Sequence, residues 1–279
     1  IKDMDIVYDL KMADKENEIH SNKWLEKWGR EARLRMSPSQ REQWDKHYDP
    51  IIKKFKEDKL TGKALAEWKY QRYMHDYMRV IHSVDRNVGR VIDYLRKHNL
   101  LDNTLIVYTS DQGFYMGEHG WFDKRFMYEE SFRTPLLMYM PGGKRGDITE
   151  MVQNIDYAPT FLQLAGVQVP KDIQGVSMLP LLKGKRVPWR KSLYYHYYEF
   201  PDEHNVCRHY GVKDQRYVLI HFYDDIDAWE LYDLKTDPSQ LNNIYGKPGT
   251  EAITRNLKKE LLRLQEQYND PIRHKMVKE

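Results

Sequence analysis

The sequence has one cysteine, Cys207, and no apolar run that approaches the length of a membrane span. A single cysteine excludes an internal disulfide framework and a zinc site built from several cysteines. A bilayer span needs about 20 consecutive apolar residues, and no stretch of this chain provides them. An excess of one charge is also lacking, because 45 basic residues face 42 acidic ones. Composition therefore indicates neither a membrane span nor nucleic acid as a partner.

The chain has 279 residues, which is enough for one large domain or for a domain with a subdomain. Residues 1–75 are charged and carry no catalytic motif, so we expect helices and long loops there. Within them, Ser37 followed by Pro38 is typical of a helix start, with Ser37 as the N-cap. Residues 76–182 have the pattern of an α/β catalytic domain, and residues 183–279 that of a smaller α+β subdomain.

The α/β pattern of residues 76–182 consists of a long helix and two short strands. An apolar stripe with a period near 3.6 predicts the helix, from about residue 70, and we expect the stripe to be buried. The stripe consists of Val80, Val84, Val88, Val91, Ile92 and Leu95. The β-branched and apolar runs at 104–109 and 136–140 are too short for long helices and predict buried strands. A helix that leads directly into a buried strand is typical of α/β folds.

The pattern changes after about residue 183. Runs rich in aromatic and apolar residues predict strands at 192–198, 217–223 and 229–234. An amphipathic stretch at 250–267 then predicts a helix, because its apolar residues recur at helical spacing. Several strands followed by a terminal helix indicate a small α+β subdomain.

Asp111 and Gln112 directly follow the first predicted strand. In open α/β sheets, ligands lie at the carboxyl ends of the strands. A carboxylate beside an amide carbonyl offers two oxygen ligands to a hard cation such as Ca²⁺ or Mg²⁺, whereas zinc more often recruits His or Cys. Gly113 would let the backbone pass tightly at this point. Taken alone, an Asp-Gln-Gly triplet after a strand is more often a turn than a metal site.

His119 and Lys124 lie in the same glycine-containing segment as this triplet. Beside a bound cation they would form a cationic pocket for an anion. An ammonium group binds sulfate or phosphate oxygens as a compact point charge, and an imidazole can protonate a leaving oxygen. Each residue also has an ordinary structural interpretation. Lys124 would then be half of a solvated surface pair with Arg125, and His119 a loop histidine bonded to backbone.

A series of short motifs runs along the middle of the chain. It consists of VDRNVGRV at 84–91, LDNTLIV at 101–107, TSDQG at 109–113, GEHG at 117–120, RTPLL at 133–137, DYAPT at 156–160 and GVS at 175–177. In this order and spacing the motifs resemble the C-terminal part of the catalytic domain of sulfatases, in the alkaline phosphatase-like superfamily. WELYDL at 229–234 resembles the C-terminal subdomain of the same family. Among sulfatases the chain is most similar to bacterial enzymes that act on glycans, including the N-acetylglucosamine-6-sulfatase-like group.

The resemblance implies a fold and a set of site residues. The fold is the C-terminal part of an alkaline phosphatase-like α/β sandwich with a smaller α+β subdomain. Carried over by position, Asp111 and Gln112 are ligands of an active-site Ca²⁺, in preference to Mg²⁺, although many relatives have Asn or His in place of Gln112. Lys124 contacts the substrate sulfate as a catalytic residue, with His119 in the same loop. The implied activity is hydrolysis of sulfate esters of glycans, in the periplasm or outside the cell.

Two parts of the family's active site are absent from the sequence. The family nucleophile is a formylglycine made from the Cys or Ser of a Cys/Ser-x-Pro-x-Arg motif, and neither Cys207 nor Ser37 has that spacing. The family's early Asp-Asp metal pair is absent as well, because Asp224-Asp225 lies far downstream in what we interpret as an acidic loop. We therefore expect the C-terminal portion of a longer sulfatase, inactive alone, whose partner is an N-terminal half that carries the formylglycine.

Residues 194–200 are nearly all aromatic and lead to His204, Arg208 and His209. Rings that stack and polar tips that form hydrogen bonds suit a sugar subsite. We therefore assign His204 and Arg208 to substrate binding. An aromatic core strand followed by a charged turn is an equally good interpretation of the same residues.

Two other functions stay open at this stage. Sulfate and phosphate are similar anions, so a phosphoesterase or phosphonate hydrolase of the same superfamily is the enzymatic alternative. Gln112 argues against its zinc-dependent members, where the family has His. The second alternative is a catalytically inactive module that binds glycans through the aromatic residues. The absence of any nucleophile motif upstream of Ile1 in the full gene would favour that module. The sequence names neither the sugar nor the position of the sulfate.

Overall fold

The computed structural model describes residues 4–7, 10, 33–201, 206–224 and 226–272. The helices are α1 (Pro38–Asp58), α2 (Gly62–Lys97), α3 (Glu129–Phe132), α4 (Tyr157–Leu164), α5 (Leu179–Leu182) and α6 (Glu251–Gln267). The strands are β1 (Ile106–Thr109), β2 (Tyr115–Met116), β3 (Phe122–Asp123), β4 (Leu136–Tyr139), β5 (Leu193–Tyr197), β6 (His209–Lys213), β7 (Tyr217–Phe222) and β8 (Ala228–Asp233). Within this described part of the chain, no helix has the length and apolar character needed to cross a bilayer.

The chain divides into two compact units. The first consists of Ile1–Arg90, Phe114–Lys124 and Pro201–Val206. The second consists of Val91–Gly113, Arg125–Phe200 and Cys207–Glu279. The three-part division into residues 1–75, 76–182 and 183–279 stays a prediction.

The first unit is built on α1 and α2. As predicted, α1 begins after Ser37, whose hydroxyl accepts a hydrogen bond from the backbone N–H of Gln40 at 3.3 Å. The Gln40 side chain accepts in return from the Ser37 backbone N–H at 2.8 Å, so the two residues form a capping box. Phe55 of α1 stacks on Trp68 of α2 with 4.1 Å between the ring centroids. Two helices with facing aromatic residues thus form a helical hairpin.

The apolar stripe of α2 is the first place where the structure differs from the expectation. The helix forms, although it begins at Gly62 rather than near residue 70. The expected burial of the stripe was wrong, because Val80 is 63% exposed and Val91 is 58% exposed in the described chain. No element of the described chain covers these side chains. The helix therefore presents an apolar face without a neighbour in the described residues.

The predicted strands at 104–109 and 136–140 form the antiparallel pair β1–β4, in which Ile106 lies opposite Tyr139 and Thr109 opposite Leu136. Their expected burial was also wrong, because Leu137 is 62% exposed and Tyr139 is 44% exposed. Two strands alone cannot cover their own faces, so this pair has open apolar surface. The predicted helix after Asp156 is confirmed as α4.

The C-terminal part of the second unit is an antiparallel sheet in the order β5-β6-β7-β8, with α6 against one face. Three of its strands and α6 were predicted, whereas β6 was not. Both interpretations of the aromatic run had Arg208 and His209 after the strand and outside any strand of their own, but His209 lies within β6 and is fully buried. The core between the sheet and α6 consists of Tyr210, Val212, Leu219, Tyr223, Leu231, Leu257, Leu261 and Leu264.

Candidate functional site

The end of β1 carries the residues predicted to bind a cation. β1 ends at Thr109, and the chain then turns through Ser110 so that the Asp111 side chain is exposed and Gln112 is half-buried. The Asp111 carboxylate accepts one long hydrogen bond, 3.3 Å from the Ser110 hydroxyl oxygen. Because this contact is weak, the carboxylate is available to a cation.

Gly113 lets the backbone after Gln112 pass close to the backbone of residues 130–133. Its backbone N–H donates to the Ser131 carbonyl oxygen at 2.8 Å. A Cβ at position 113 would overlap the carbonyl oxygen of Glu130 and lie 2.8 Å from that of Arg133. The tight passage predicted for Gly113 is therefore confirmed, and only glycine fits here.

A second segment touches the end of β1 from the side. The Asn154 side-chain amide donates to the Asp111 backbone carbonyl oxygen, with 3.3 Å between the two atoms. The Tyr157 hydroxyl and the Thr109 hydroxyl form a hydrogen bond of 2.8 Å. Residues 156–160 resemble a family motif, but no role was predicted for them from the sequence. These contacts were not predictable, because they join positions more than 40 residues apart.

His119 and Lys124 lie in the first compact unit. His119 is part of a 3₁₀ turn, Glu118–Gly120, with a left-handed φ of 56°. Its ring stacks on that of Trp121 with 5.2 Å between centroids. Lys124 is half-buried and has no ion pair with any residue that the structure describes. It lies between Asp123 and Arg125, whose φ values of 78° and 134° are unusual for non-glycine residues and concentrate at functional sites.

The structure describes each predicted pair within its own unit. Asp111 and Gln112 belong to the second unit, and His119 and Lys124 to the first. Their joint action in one site therefore stays a prediction. Among the described residues, no group of three or more His, Cys, Asp or Glu side chains could hold a metal ion. Calcium takes six to eight oxygen ligands, so Asp111 and Gln112 fit part of such a set.

Arg208, predicted to bind sugar, holds the end of β5. Its Nε donates to the Tyr198 carbonyl oxygen at 3.0 Å, and a terminal nitrogen donates to the Phe200 carbonyl oxygen. Another terminal nitrogen lies 3.2 Å from the Asp224 carboxylate. The guanidinium group of Arg208 therefore stabilises the chain after β5 through these contacts. His204 lies outside the described residues, and the substrate role of both residues stays a prediction.

The aromatic run of residues 194–200 does not form one platform, because its side chains alternate between the two faces of the sheet. Tyr195 and Tyr197 stack on His209, at 5.5 and 5.4 Å between ring centroids, on the face away from α6. Burial lowers the pKa of His209 to about 4, so its imidazole is neutral at physiological pH. A single ligand could therefore contact the aromatic side chains on only one of the two faces of this strand.

The other face of β5 carries a buried polar cluster that the sequence analysis missed. The Asp270 carboxylate accepts hydrogen bonds from the Tyr194 hydroxyl and from His196 Nδ1, both at 2.6 Å. The second ring nitrogen of His196 lies 2.7 Å from the Tyr223 hydroxyl. Burial opposes ionisation of Asp270, but the bonds from Tyr194 and His196 outweigh it and lower its pKa. The cluster ties the segment after α6 to the sheet.

Two family models match the chain, and together they span most of it. The model described as Sulfatase matches residues 16–167. The model described as N-sulphoglucosamine sulphohydrolase, C-terminal, matches residues 117–267. Each covers more than half of the chain.

Curated relatives agree with these models. An N-acetylglucosamine-6-O-sulfatase of Bacteroides thetaiotaomicron is 52% identical over 241 residues, which are 85% of this chain and 43% of that protein. An arylsulfatase of Clostridium perfringens is 30% identical over 203 residues, which are 70% of this chain and 41% of that protein. The chain therefore spans less than half the length of these relatives.

Solved structures share the fold. One solved structure contains a protein in complex with D-glucosamine-2-N,6-O-disulfate, which is described as the substrate of that protein. It superposes on this chain with a TM-score of 0.87 at 46% identity. The match covers 96% of this chain and 56% of the other. A putative sulfatase from Bacteroides fragilis gives a TM-score of 0.68 at 29% identity, with 78% of this chain and 47% of that one covered. The architecture is thus that of the alkaline phosphatase-like proteins. Within them, the chain belongs to the sulfatase family.

Proposed function

We propose that this chain is the C-terminal portion of a calcium-dependent sulfatase that hydrolyses sulfate esters of glycans. The observation that carries the proposal is the exposed Asp111 carboxylate, next to Gln112 at the end of β1, where the family pattern has cation ligands. The similarity to an N-acetylglucosamine-6-O-sulfatase supports a sulfated amino sugar as the substrate class.

Each site residue then has a chemical task. Asp111 and Gln112 would hold the cation through side-chain oxygens. A bound Ca²⁺ supplies positive charge that stabilises the sulfate oxygens as charge develops on them. Lys124 would bind a sulfate oxygen through its ammonium group, which has no competing ion pair among the described residues. His119 would protonate the sugar oxygen as it leaves sulfur.

The remaining groups would come from an N-terminal half. Sulfatases generally use a formylglycine and a metal ion, and this sequence has neither the precursor motif nor an early Asp-Asp pair. The open apolar faces of α2 and of the β1–β4 pair support a covering partner of this kind, because removing apolar surface from water is favourable. The 279-residue chain alone would then be inactive. The similarity to bacterial glycan sulfatases supports action in the periplasm or outside the cell.

A phosphonate hydrolase is the second candidate. A phosphonate monoester hydrolase from Silicibacter pomeroyi superposes with a TM-score of 0.66 at 25% identity and covers 76% of this chain. Sulfate and phosphonate esters present similar oxyanions, so the same residues could serve both reactions. The greater similarity to sulfatases favours sulfate esters.

The test is a matched pair of variants in the full-length protein. Asp111→Asn removes a charged ligand, and Asp102→Asn makes the same change at an exposed turn. We expect Asp111→Asn to abolish calcium-dependent release of sulfate from N-acetylglucosamine-6-sulfate, while Asp102→Asn keeps wild-type turnover. Unchanged turnover in Asp111→Asn would refute the metal assignment. Faster wild-type turnover of an aryl phosphonate than of the sulfated sugar would favour the second candidate.

A further inference from the structure

Residues 154–157, which lead into the first turn of α4, contact the end of β1 on both sides of Ser110. Asn154 donates its side-chain amide to the Asp111 carbonyl oxygen, 3.3 Å away, after the turn. Tyr157 forms a 2.8 Å hydrogen bond with the Thr109 hydroxyl before the turn. The strand end that carries the metal ligand is therefore held at two points by one short stretch of chain.

This stretch is itself fixed by a fully buried carboxylate, that of Asp156. One oxygen of Asp156 accepts from the Val176 backbone N–H at 2.8 Å, and the other from the Gln153 backbone N–H at 2.8 Å. Arg190 forms a bidentate ion pair with both oxygens. A buried carboxylate with this many charge-assisted bonds holds its surroundings rigidly.

The motif at 175–177 packs against the same stretch that the Asp156 carboxylate holds. A Cβ at Gly175 would overlap the carbonyl oxygen of Ile155, so only glycine allows this approach. The Thr160 hydroxyl donates to the Asp156 carbonyl oxygen at 2.6 Å and accepts from the Met178 backbone N–H at 2.8 Å. The 156–160 and 175–177 motifs therefore form one packed unit behind the turn of residues 154–156.

We propose that Asn154 and Tyr157 are positioning residues for the Asp111 carboxylate. The role rests on the proposed function, because it has meaning only if Asp111 binds a cation. An exposed carboxylate on a turn samples many directions, and the conformational entropy that it loses on binding a cation lowers the affinity. By holding the chain at Thr109 and Asp111, the two side chains limit the directions that the carboxylate can take. Changing groups that orient metal ligands typically costs about 10- to 100-fold in metal affinity or activity.

The experiment follows the thermal stability of the full-length protein as Ca²⁺ is added after treatment with EDTA. A ligand that binds only the folded protein raises Tm in proportion to the logarithm of its concentration over Kd. We expect Asn154→Ala to raise the Ca²⁺ concentration needed for a given shift by about 10-fold or more. Its Tm in EDTA should stay within about 3 °C of wild type, because an exposed hydrogen bond contributes little stability.

The matched control is Asn103→Ala, which removes an exposed asparagine from another 3₁₀ turn, Leu101–Asn103. It should leave the Ca²⁺ response unchanged. Tyr157→Phe supplies a second variant, because it deletes only the hydroxyl that meets Thr109. Thr109→Val removes the same bond from the other side, together with the 2.8 Å bond from the Thr109 hydroxyl to the Pro135 carbonyl oxygen. A double-mutant cycle should therefore show losses in Ca²⁺ affinity that are less than additive, because the Tyr157–Thr109 bond is lost in both single variants.

The outcomes separate the two proposals. If Asp111→Asn abolishes the Ca²⁺ response and Asn154→Ala weakens it at unchanged Tm in EDTA, the positioning role is supported. If Asp111→Asn abolishes the response but neither Asn154→Ala nor Tyr157→Phe changes it, the positioning role is overturned and the metal assignment stands. If Asp111→Asn keeps the wild-type response, both are overturned.

Discussion

The four-stranded sheet β5–β8 and the two-stranded pair β1–β4 belong to the same compact unit but differ in how their apolar side chains are covered. In the larger sheet, Leu219 and Leu231 are fully buried against α6. In the smaller pair, Leu137 is 62% exposed. The larger sheet therefore has its second layer within the described chain, whereas the smaller pair does not.

The two sheets also differ in the predicted site residues that they carry. The covered sheet carries buried aromatic and polar clusters that stabilise it, and its only predicted site residue in the described chain is Arg208. The open pair carries Asp111 and Gln112 at one end. A strand pair without a second layer needs one, because layered packing is how sheets bury their faces. Under our proposal, the N-terminal half that brings the nucleophile also covers this surface.

The largest expected effect tests the comparison itself. Leu219→Ala removes a fully buried side chain and should lower the free energy of unfolding by about 2–5 kcal/mol. Leu137→Ala in the 279-residue chain should change it by about 0.5 kcal/mol or less, because that side chain is mostly exposed. Urea unfolding of both variants measures the difference.

The same Leu137→Ala variant in the full-length protein sharpens the comparison. If the N-terminal half covers β1–β4, the cost of the change should rise above about 1 kcal/mol, since the side chain would then be buried. An equally small cost in both forms would mean that this face stays open, and would remove one support for the partner.

The next effect concerns catalysis. Lys124→Ala should lower kcat/KM for a sulfated sugar by about 100-fold or more, which is the usual cost of losing a group that stabilises transition-state charge. Lys171→Ala, at an exposed position, is the matched control and should keep wild-type kinetics. A loss below about threefold for Lys124→Ala would make it an ordinary surface lysine.

Much of this architecture follows from local pattern. The Ser37 cap, the long helix α2 and the terminal helix α6 each depend on residues close in sequence, so spacing alone predicts them. Burial is different, because it depends on what packs against an element. The valine stripe of α2 has the right period, yet Val80 and Val91 are exposed in the described chain.

The candidate site was predictable only in part for the same reason. A strand end followed by two ligand-type residues drew attention to Asp111 and Gln112, and the resemblance to sulfatases assigned them the role of metal ligands. The support from Asn154 comes from 43 positions away, and the pair of His196 with Asp270 joins residues 74 apart. Strand β6 was missed because Gly211 and the charged residues at its ends resemble a loop. Gly211 is required there, since a Cβ would lie 2.5 Å from the backbone carbonyl oxygen of Leu219 and would also overlap the sulfur of Met127.

A smaller effect tests the packing of the covered sheet by pH. Burial lowers the pKa of His209 to about 4, whereas an unfolded histidine has a pKa near 6.5. The unfolded state therefore takes up a proton first as pH falls, so stability is full above pH 6.5 and is lost towards pH 4. Between pH 7 and pH 4.5 this loss should be roughly 2 kcal/mol.

His209→Phe removes that titration while keeping an aromatic ring among Phe126, Tyr195 and Phe222. The variant should lose less stability than wild type over the same pH range, as measured by urea unfolding at each pH. His98→Phe changes an exposed histidine and should keep the wild-type pH profile. Identical profiles for His209→Phe and wild type would show that His209 is not the buried neutral group that the structure implies.

The smallest and most selective effect concerns the sugar. Arg208→Ala and His204→Ala should each lower kcat/KM for a sulfated amino sugar by about 10-fold, the scale of one hydrogen bond to a charged group. Both should leave hydrolysis of a small aryl sulfate within about twofold, because that substrate has no sugar to bind. Arg255→Ala on the exposed side of α6 is the control. Equal losses on both substrates, together with a lower Tm for Arg208→Ala, would assign Arg208 to its contacts with Tyr198 and Phe200 rather than to the sugar. In that case the covered sheet would carry no predicted substrate contact among the described residues.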